Sequence, residues 1–190
     1  MFMTFLNIHD YKESNENIAY QALVHCNADV ISPVFDYDGM TPRPLFDKIC
    51  AEFNKNFCDV VVGTGIGGYF ALIISAKYHV PTILIDPVIV PGLVLPAMGY
   101  TVQHRLWEMR TLEGTYLQDI DTRATSTIMN TKNTLIDDKL REYTKVFLNN
   151  KRYYEIACDD CTSTATAVIN IFQLNKEEWY YDSSTTDFFE

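Results

Sequence analysis

Residues 63–68 read Gly-Thr-Gly-Ile-Gly-Gly, and two chemistries use glycines at this spacing. One is a nucleophile elbow, G-x-S-x-G, in which a sharp strand-to-helix turn lifts a serine hydroxyl out of the backbone for acyl transfer. The other is the phosphate-binding turn G-x-G-x-x-G, whose amides and helix N-terminus hold a pyrophosphate. The apolar run Asp59-Val60-Val61-Val62 precedes the glycines, and a helix-like stretch, Tyr69 to Tyr78, follows them. Read as an elbow, the segment puts Gly65 at the apex, so the reactive oxygen is missing. Read as a phosphate turn, it is matched by Gly63, Gly65 and Gly68. Asp86 then ends the following strand, where a ribose hydroxyl would be held.

Other residues could contribute. Cys158-Asp159-Asp160-Cys161 is a C-x-x-C pair, a redox couple or half of a metal site in principle. Two flanking aspartates would raise the thiol pKa values, and one pair without a second reads first as two free thiols in a loop. His9-Asp10-Tyr11 closes the first strand candidate, with His9 expected to hydrogen-bond loop backbone. His104, Arg105, Trp107 and Arg110 cluster in an irregular middle segment; they read first as an exposed helix face, with the lining of a pocket for an acidic or aromatic ligand as the alternative.

These residues need elements to position them, and strand-like and helix-like patterns alternate along the chain. Phe2–His9 reads as a strand, and a helix capped by Ser14 runs to about His25. Asp29–Pro33 is a short strand. Thr41 with Pro42 starts a helix whose Leu45, Phe46, Ile49, Cys50 and Phe53 recur at helical spacing. Asp59–Val62 and Thr82–Ile85 are apolar enough for central parallel strands covered on both faces. Further on come a helical turn at His104–Met109, a weak strand at Ser126–Met129 and an amphipathic helix at Ile136–Leu148. A strand at Tyr153–Ala157 and a helix at Ser163–Phe172 complete the series. This alternation predicts an α/β three-layer sandwich, a mostly parallel sheet with helices on both faces. One domain spans residues 1–174, with a short lid at about 92–124. An acidic aromatic tail, residues 175–190, is expected to pack on its own domain.

Composition narrows the partners. A formal charge of −10 over 190 residues, with the 15 Lys and Arg scattered, argues against nucleic acid. No apolar run is long enough to span a bilayer. Five cysteines and an N-terminus that reads as a strand make reduced thiols and a cytoplasmic setting the expectation. No cofactor is expected.

The stretch Val60 to Pro91 resembles the small YqiA-like esterases of the α/β-hydrolase superfamily. It carries Gly63-Thr-Gly-Ile-Gly-Gly-Tyr69, then Val80-Pro81, then Asp86-Pro87 and Pro91; His9-Asp10-Tyr11 stands where that family has His-Gly-Phe. The resemblance implies a minimal α/β-hydrolase fold. It also implies a catalytic set of Ser, acid and His, and here the three places hold Gly65, Asn133 and Asp159. No histidine follows His104, so the chain order of that set cannot be completed. The expected function is therefore a catalytically inactive binding or protein-interaction module for an unidentified small ligand or protein. Its remnant pocket would be formed by His9, Asp10, Tyr11, Thr64, Gly65, Ile66, Pro87, Cys158 and Cys161. The Ile66 N–H is expected to survive there as a donor for a small anion or carbonyl. Two alternatives stay open: an esterase with an unconventional catalytic set, and a dinucleotide-binding protein using Gly63, Gly65, Gly68 and Asp86.

Overall fold

The computed structural model describes residues 2–92, 103–134, 136–149, 152–160 and 162–185. Its elements are β1 (Thr4–Ile8), α1 (Ile18–His25), β2 (Asp29–Ile31), α2 (Pro42–Lys55), β3 (Val60–Thr64), α3 (Ile66–Tyr78) and β4 (Thr82–Ile85). They continue with α4 (Gln103–Tyr116), a 3-10 turn (Leu117–Asp119), β5 (Thr125–Asn130), α5 (Asp138–Phe147), β6 (Tyr153–Ile156) and α6 (Thr162–Thr185). The strands form one sheet in the order β2-β1-β3-β4-β5-β6, and every neighbouring pair is parallel.

The central strands are apolar on both sides because both sides are covered. Val60 and Val62 of β3 and Ile83 and Ile85 of β4 face one core, which also takes Phe5 of β1, Leu23 of α1 and Ile171 of α6. Val61, Leu84, Leu6 and Ile8 face the opposite core, built with α2, α3 and α4. α3 is buried almost all round, as expected of a helix laid across the centre of a parallel sheet.

The chain winds outward from β1 to β2, then returns to lay β3 on the other flank of β1. The carboxyl ends of β1 and β3 therefore part company at the switch of winding direction, which is where open parallel sheets open a crevice for ligands.

Some boundaries differ from the sequence expectations. Ser14 does not cap α1; its Oγ accepts from the Glu16 N–H, and Asn17 is the cap, accepting from the Tyr20 N–H. The middle helix is longer than His104–Met109. The final helix runs through position 174 to Thr185, so most of the expected tail is helix. Its Trp179 is 2% exposed and packs edge-on against Phe5 at 6.3 Å, beside Phe172. The tail thus packs on its own domain through Trp179; Phe188 and Phe189 lie outside the described residues.

Replacing Trp179 by alanine is expected to destabilise the fold by about 3–5 kcal/mol, the usual range for truncating a buried aromatic. Urea unfolding followed by circular dichroism measures it; an effect below about 1 kcal/mol would mean α6 does not close this core.

Candidate functional site

β3 ends at Thr64, and Gly65 is the N-cap of α3 with φ 58° and ψ −120°. This is a sharp strand-to-helix turn in a conformation that side-chain-bearing residues rarely hold. The neighbouring glycines serve close packing. A Cβ on Gly67 would lie 2.2 Å from the Ile8 carbonyl oxygen, and one on Gly68 would lie 2.9 Å from Pro87 Cβ. The turn thus presses α3 against the end of β1, and this brings residue 10 over residue 65.

Asp10 occupies the apex. Its Oδ1 accepts the Ile66 N–H at 2.9 Å and the Tyr11 N–H at 2.8 Å. A Cβ built on Gly65 would fall 2.2 Å from Asp10 Cγ and Oδ2. The carboxylate fills the space that a side chain on residue 65 would need. The expectation that the Ile66 amide waits for a small anion or carbonyl is therefore corrected. Asp10 already binds that amide, because an aspartate two residues past the first strand is within reach of the α3 N-terminus, where carboxylates are favoured. The same group covers the helix end on which a pyrophosphate would sit. Burial pushes the Asp10 carboxyl above its ordinary value, the Ile66 and Tyr11 amides pull it down, and nearby Glu13 adds to the upward push.

The histidine beside it is not placed as a base. His9 is 3% exposed and stacked on Phe35. Its Nε2 accepts the Phe35 N–H at 2.9 Å, which leaves the proton on Nδ1, 2.8 Å from the Asp10 carbonyl oxygen. Both nitrogens are thus engaged by backbone. His25 closes α1 and His79 caps the end of α3. The His104 side chain and Cys161 lie outside the described residues.

A cavity of about 310 Å³ opens in front of the turn, with Asp10, Tyr11, Thr64, Gly65, Ile66, Asp86, Pro87 and Asn133 on its walls and α5 supplying Leu140, Tyr143 and Thr144. Asp86 leaves β4 with φ 43° and accepts the Asn130 N–H at 2.6 Å and a hydrogen bond from the Asn133 side chain. Burial raises its pKa, the Asn130 and Asn133 hydrogen bonds and Arg141 oppose that, and Asp10 adds to it. A second cavity of about 150 Å³, mostly apolar, shares Tyr11 and Ile66 with the first; Tyr37, Met40, Leu45, Phe70, Arg105 and Met109 also line it.

The structure brings Asp10, Tyr11, Thr64, Gly65, Ile66, Pro87 and Asn133 to one cavity and leaves other expected residues outside it. His9 lies behind the wall. Cys158 is buried behind Asn130, bonded through its backbone to that side chain. Asp159 points to solvent, 79% exposed and 2.5 Å from Lys132. It does not face the elbow, because the loop after β6 turns it outward. Arg105 lines a cavity rather than an open helix face, with its guanidinium held by the carbonyls of Tyr37 and Asp38. The amphipathic helix expected at Ile136–Leu148 is present as α5, and it walls the cavity with Leu140, Tyr143 and Thr144, a role the sequence expectations do not assign to it. Among the described residues no group of three or more His, Cys, Asp or Glu is gathered as a metal site, and no helix is long and apolar enough to cross a membrane.

Residues 41–174 match the Uncharacterised protein family UPF0227. The chain belongs to that family. The match agrees with the resemblance to YqiA-like esterases, and solved structures show the α/β-hydrolase fold. A predicted CIB-like hydrolase from Thermoplasma acidophilum superposes with a TM-score of 0.60 at 12% identity, covering 90% of this chain and 86% of that one. An α/β-hydrolase enzyme from the metagenome of lagoon sediments at Mar Chica, Morocco, gives 0.57 at 12%, covering 97% and 93%. The ydeN gene product of B. subtilis gives 0.58 at 13%, covering 94% and 99%. No curated protein matches the sequence. Within this UPF0227 member, then, the elbow of a hydrolase fold holds a glycine roofed by an aspartate.

The contact is testable as a coupling. Gly65→Ala is expected to cost more than about 1 kcal/mol in the natural background, and less by about 0.5–3 kcal/mol when Asp10 is also alanine. Denaturant unfolding of the four proteins reads it. Equal costs in both backgrounds would show that strain at Gly65 alone, without Asp10, accounts for the glycine.

Proposed function

We propose that this UPF0227 protein is a binding module that keeps the hydrolase crevice without its acyl-transfer chemistry. One observation carries the reading: the Asp10 carboxylate stands over Gly65 and holds the Ile66 N–H. Acyl transfer of the familiar kind needs an oxygen nucleophile with an adjacent base, and amides free to receive the oxyanion. Here the apex has no side chain, and His9 bonds backbone through both nitrogens. The amide after the apex already has a negatively charged acceptor. A carboxylate placed where negative charge would develop opposes that transition state instead of stabilising it. It would also repel a pyrophosphate at the α3 N-terminus, so the dinucleotide reading loses its main support. What the site retains is a walled crevice at the switch of winding direction, the usual place for a ligand in such a sheet.

One observation favours a second reading. A carboxylate at the elbow of a fold shared with hydrolases could itself attack an ester carbonyl, with Asp10 as the unconventional nucleophile: the ester C–O bond breaks, the phenolate or alkoxide leaves, and water hydrolyses the mixed anhydride to restore the carboxylate. An assay with p-nitrophenyl acetate and butyrate separates the two. Release of p-nitrophenol is expected to match buffer and to be unchanged in Asp10→Asn. Turnover well above buffer that disappears in Asp10→Asn would overturn the binding reading in favour of the hydrolase.

A further inference from the structure

The two cavities share Tyr11 and Ile66 in their linings, and only the larger one is lined by Asp10 and Asp86. We propose that together they bind a primary ammonium ion carried on an aromatic body, the cation beside Asp10, Asp86 and the Tyr143 ring, the body against Tyr37 and Phe70. This rests on the binding reading of the same crevice and names its ligand class.

Charge sets the polar end. Asp10 and Asp86 both line the larger cavity and feel each other, and Glu13 stands behind Asp10. Among the described residues neither carboxylate forms a salt bridge. The cation near Asp86 is Arg141, and its guanidinium is directed elsewhere: Nη1 to Asp138 at 3.0 Å, Nη2 to the Asn133 carbonyl at 2.7 Å. Asp86 feels the Arg141 charge without an ion pair, and among the described residues Asp10 has no such cation beside it, so burying the two carboxylates is costly and a cationic ligand offsets that cost. An anionic ligand would meet both carboxylates and find the Ile66 amide taken. Tyr143 adds a ring on the same wall, suited to an ammonium.

Shape sets the other end. A cavity of about 150 Å³ is the size that holds one benzene ring in an apolar protein interior. Its one cationic lining residue, Arg105, is held by the Tyr37 and Asp38 carbonyls at 2.7 and 2.6 Å. Asp38 accepts from the Tyr11 hydroxyl at 2.8 Å. The lining therefore offers an aryl group apolar and aromatic contact. To occupy both cavities, the ring and the ammonium must be joined by a short tether past the shared Tyr11 and Ile66.

Isothermal titration calorimetry with four probes tests this: phenethylamine, phenethyl alcohol, phenylacetate and ethylamine. Phenethylamine is expected to bind at least about tenfold more tightly than each of the others. Asp86→Asn is expected to weaken it by about tenfold or more. Met40→Trp, which fills the apolar cavity, is expected to abolish its advantage over ethylamine. Thermal melts establish that both variants are folded. The proposal is overturned if phenylacetate or the alcohol binds as well as the amine, if no probe binds, if both folded variants bind phenethylamine as the natural protein does, or if calcium ions displace the amine. Loss of amine binding with no ester turnover removes this inference alone. Ester turnover together with amine binding removes the non-hydrolytic reading and leaves the ligand class standing.

Discussion

The hydrogen bond from the Ile66 amide to the Asp10 carboxylate joins the ends of two strands 56 residues apart in sequence, and the character of the crevice follows from it. It forms because Gly65 takes a backbone conformation open to glycine and because the glycines beyond it let α3 press against β1. The helix then starts directly beneath the loop that carries Asp10, and its unsatisfied first amide meets a carboxylate. A side chain at position 65 and the carboxylate at position 10 compete for one volume, so the bare glycine and the aspartate roof are two views of a single arrangement.

That arrangement changes the electrostatics of the site. The N-terminal end of α3 would ordinarily attract negative charge, and one carboxylate already neutralises that attraction. Asp86 adds a second, brought to the cavity by a backbone φ of 43° and held by Asn130 and Asn133. The amide of Asn133, where the resemblance calls for an acid, thus has a structural use: it stabilises the charge of Asp86. Two carboxylates thus line a crevice whose counterpart in a hydrolase is built around an oxyanion.

Much of the fold could be read from the residues. The uninterrupted valines of β3, the punctuating glycines and the strand at Thr82–Ile85 leave little freedom for anything but a parallel sheet with covered faces. The end of α6 was obscured because Trp179 lies among acidic residues and tyrosines. The stripe Val168, Ile171, Asn175 and Trp179 nevertheless continues at helical spacing and is buried throughout. At the site, Gly65 announced the missing oxygen, yet nothing local announced what replaces it. The contact with Asp10 depends on β1 and β3 lying side by side, a tertiary fact that motif spacing does not carry. The same holds for His9, whose ring is locked by the Phe35 amide, and for Asp159, which the loop after β6 turns to solvent.

In the resting protein the Asp10 carboxylate occupies the Ile66 amide. Native-state hydrogen exchange, read residue by residue by NMR, tests it most directly. The Ile66 amide is expected to be strongly protected in the natural protein and to exchange far faster in Asp10→Ala, while amides deep in β3 and β4 keep their protection. An Ile66 amide that exchanges at the rate of an unstructured peptide in the natural protein, or is equally protected once Asp10 is gone, would contradict the account.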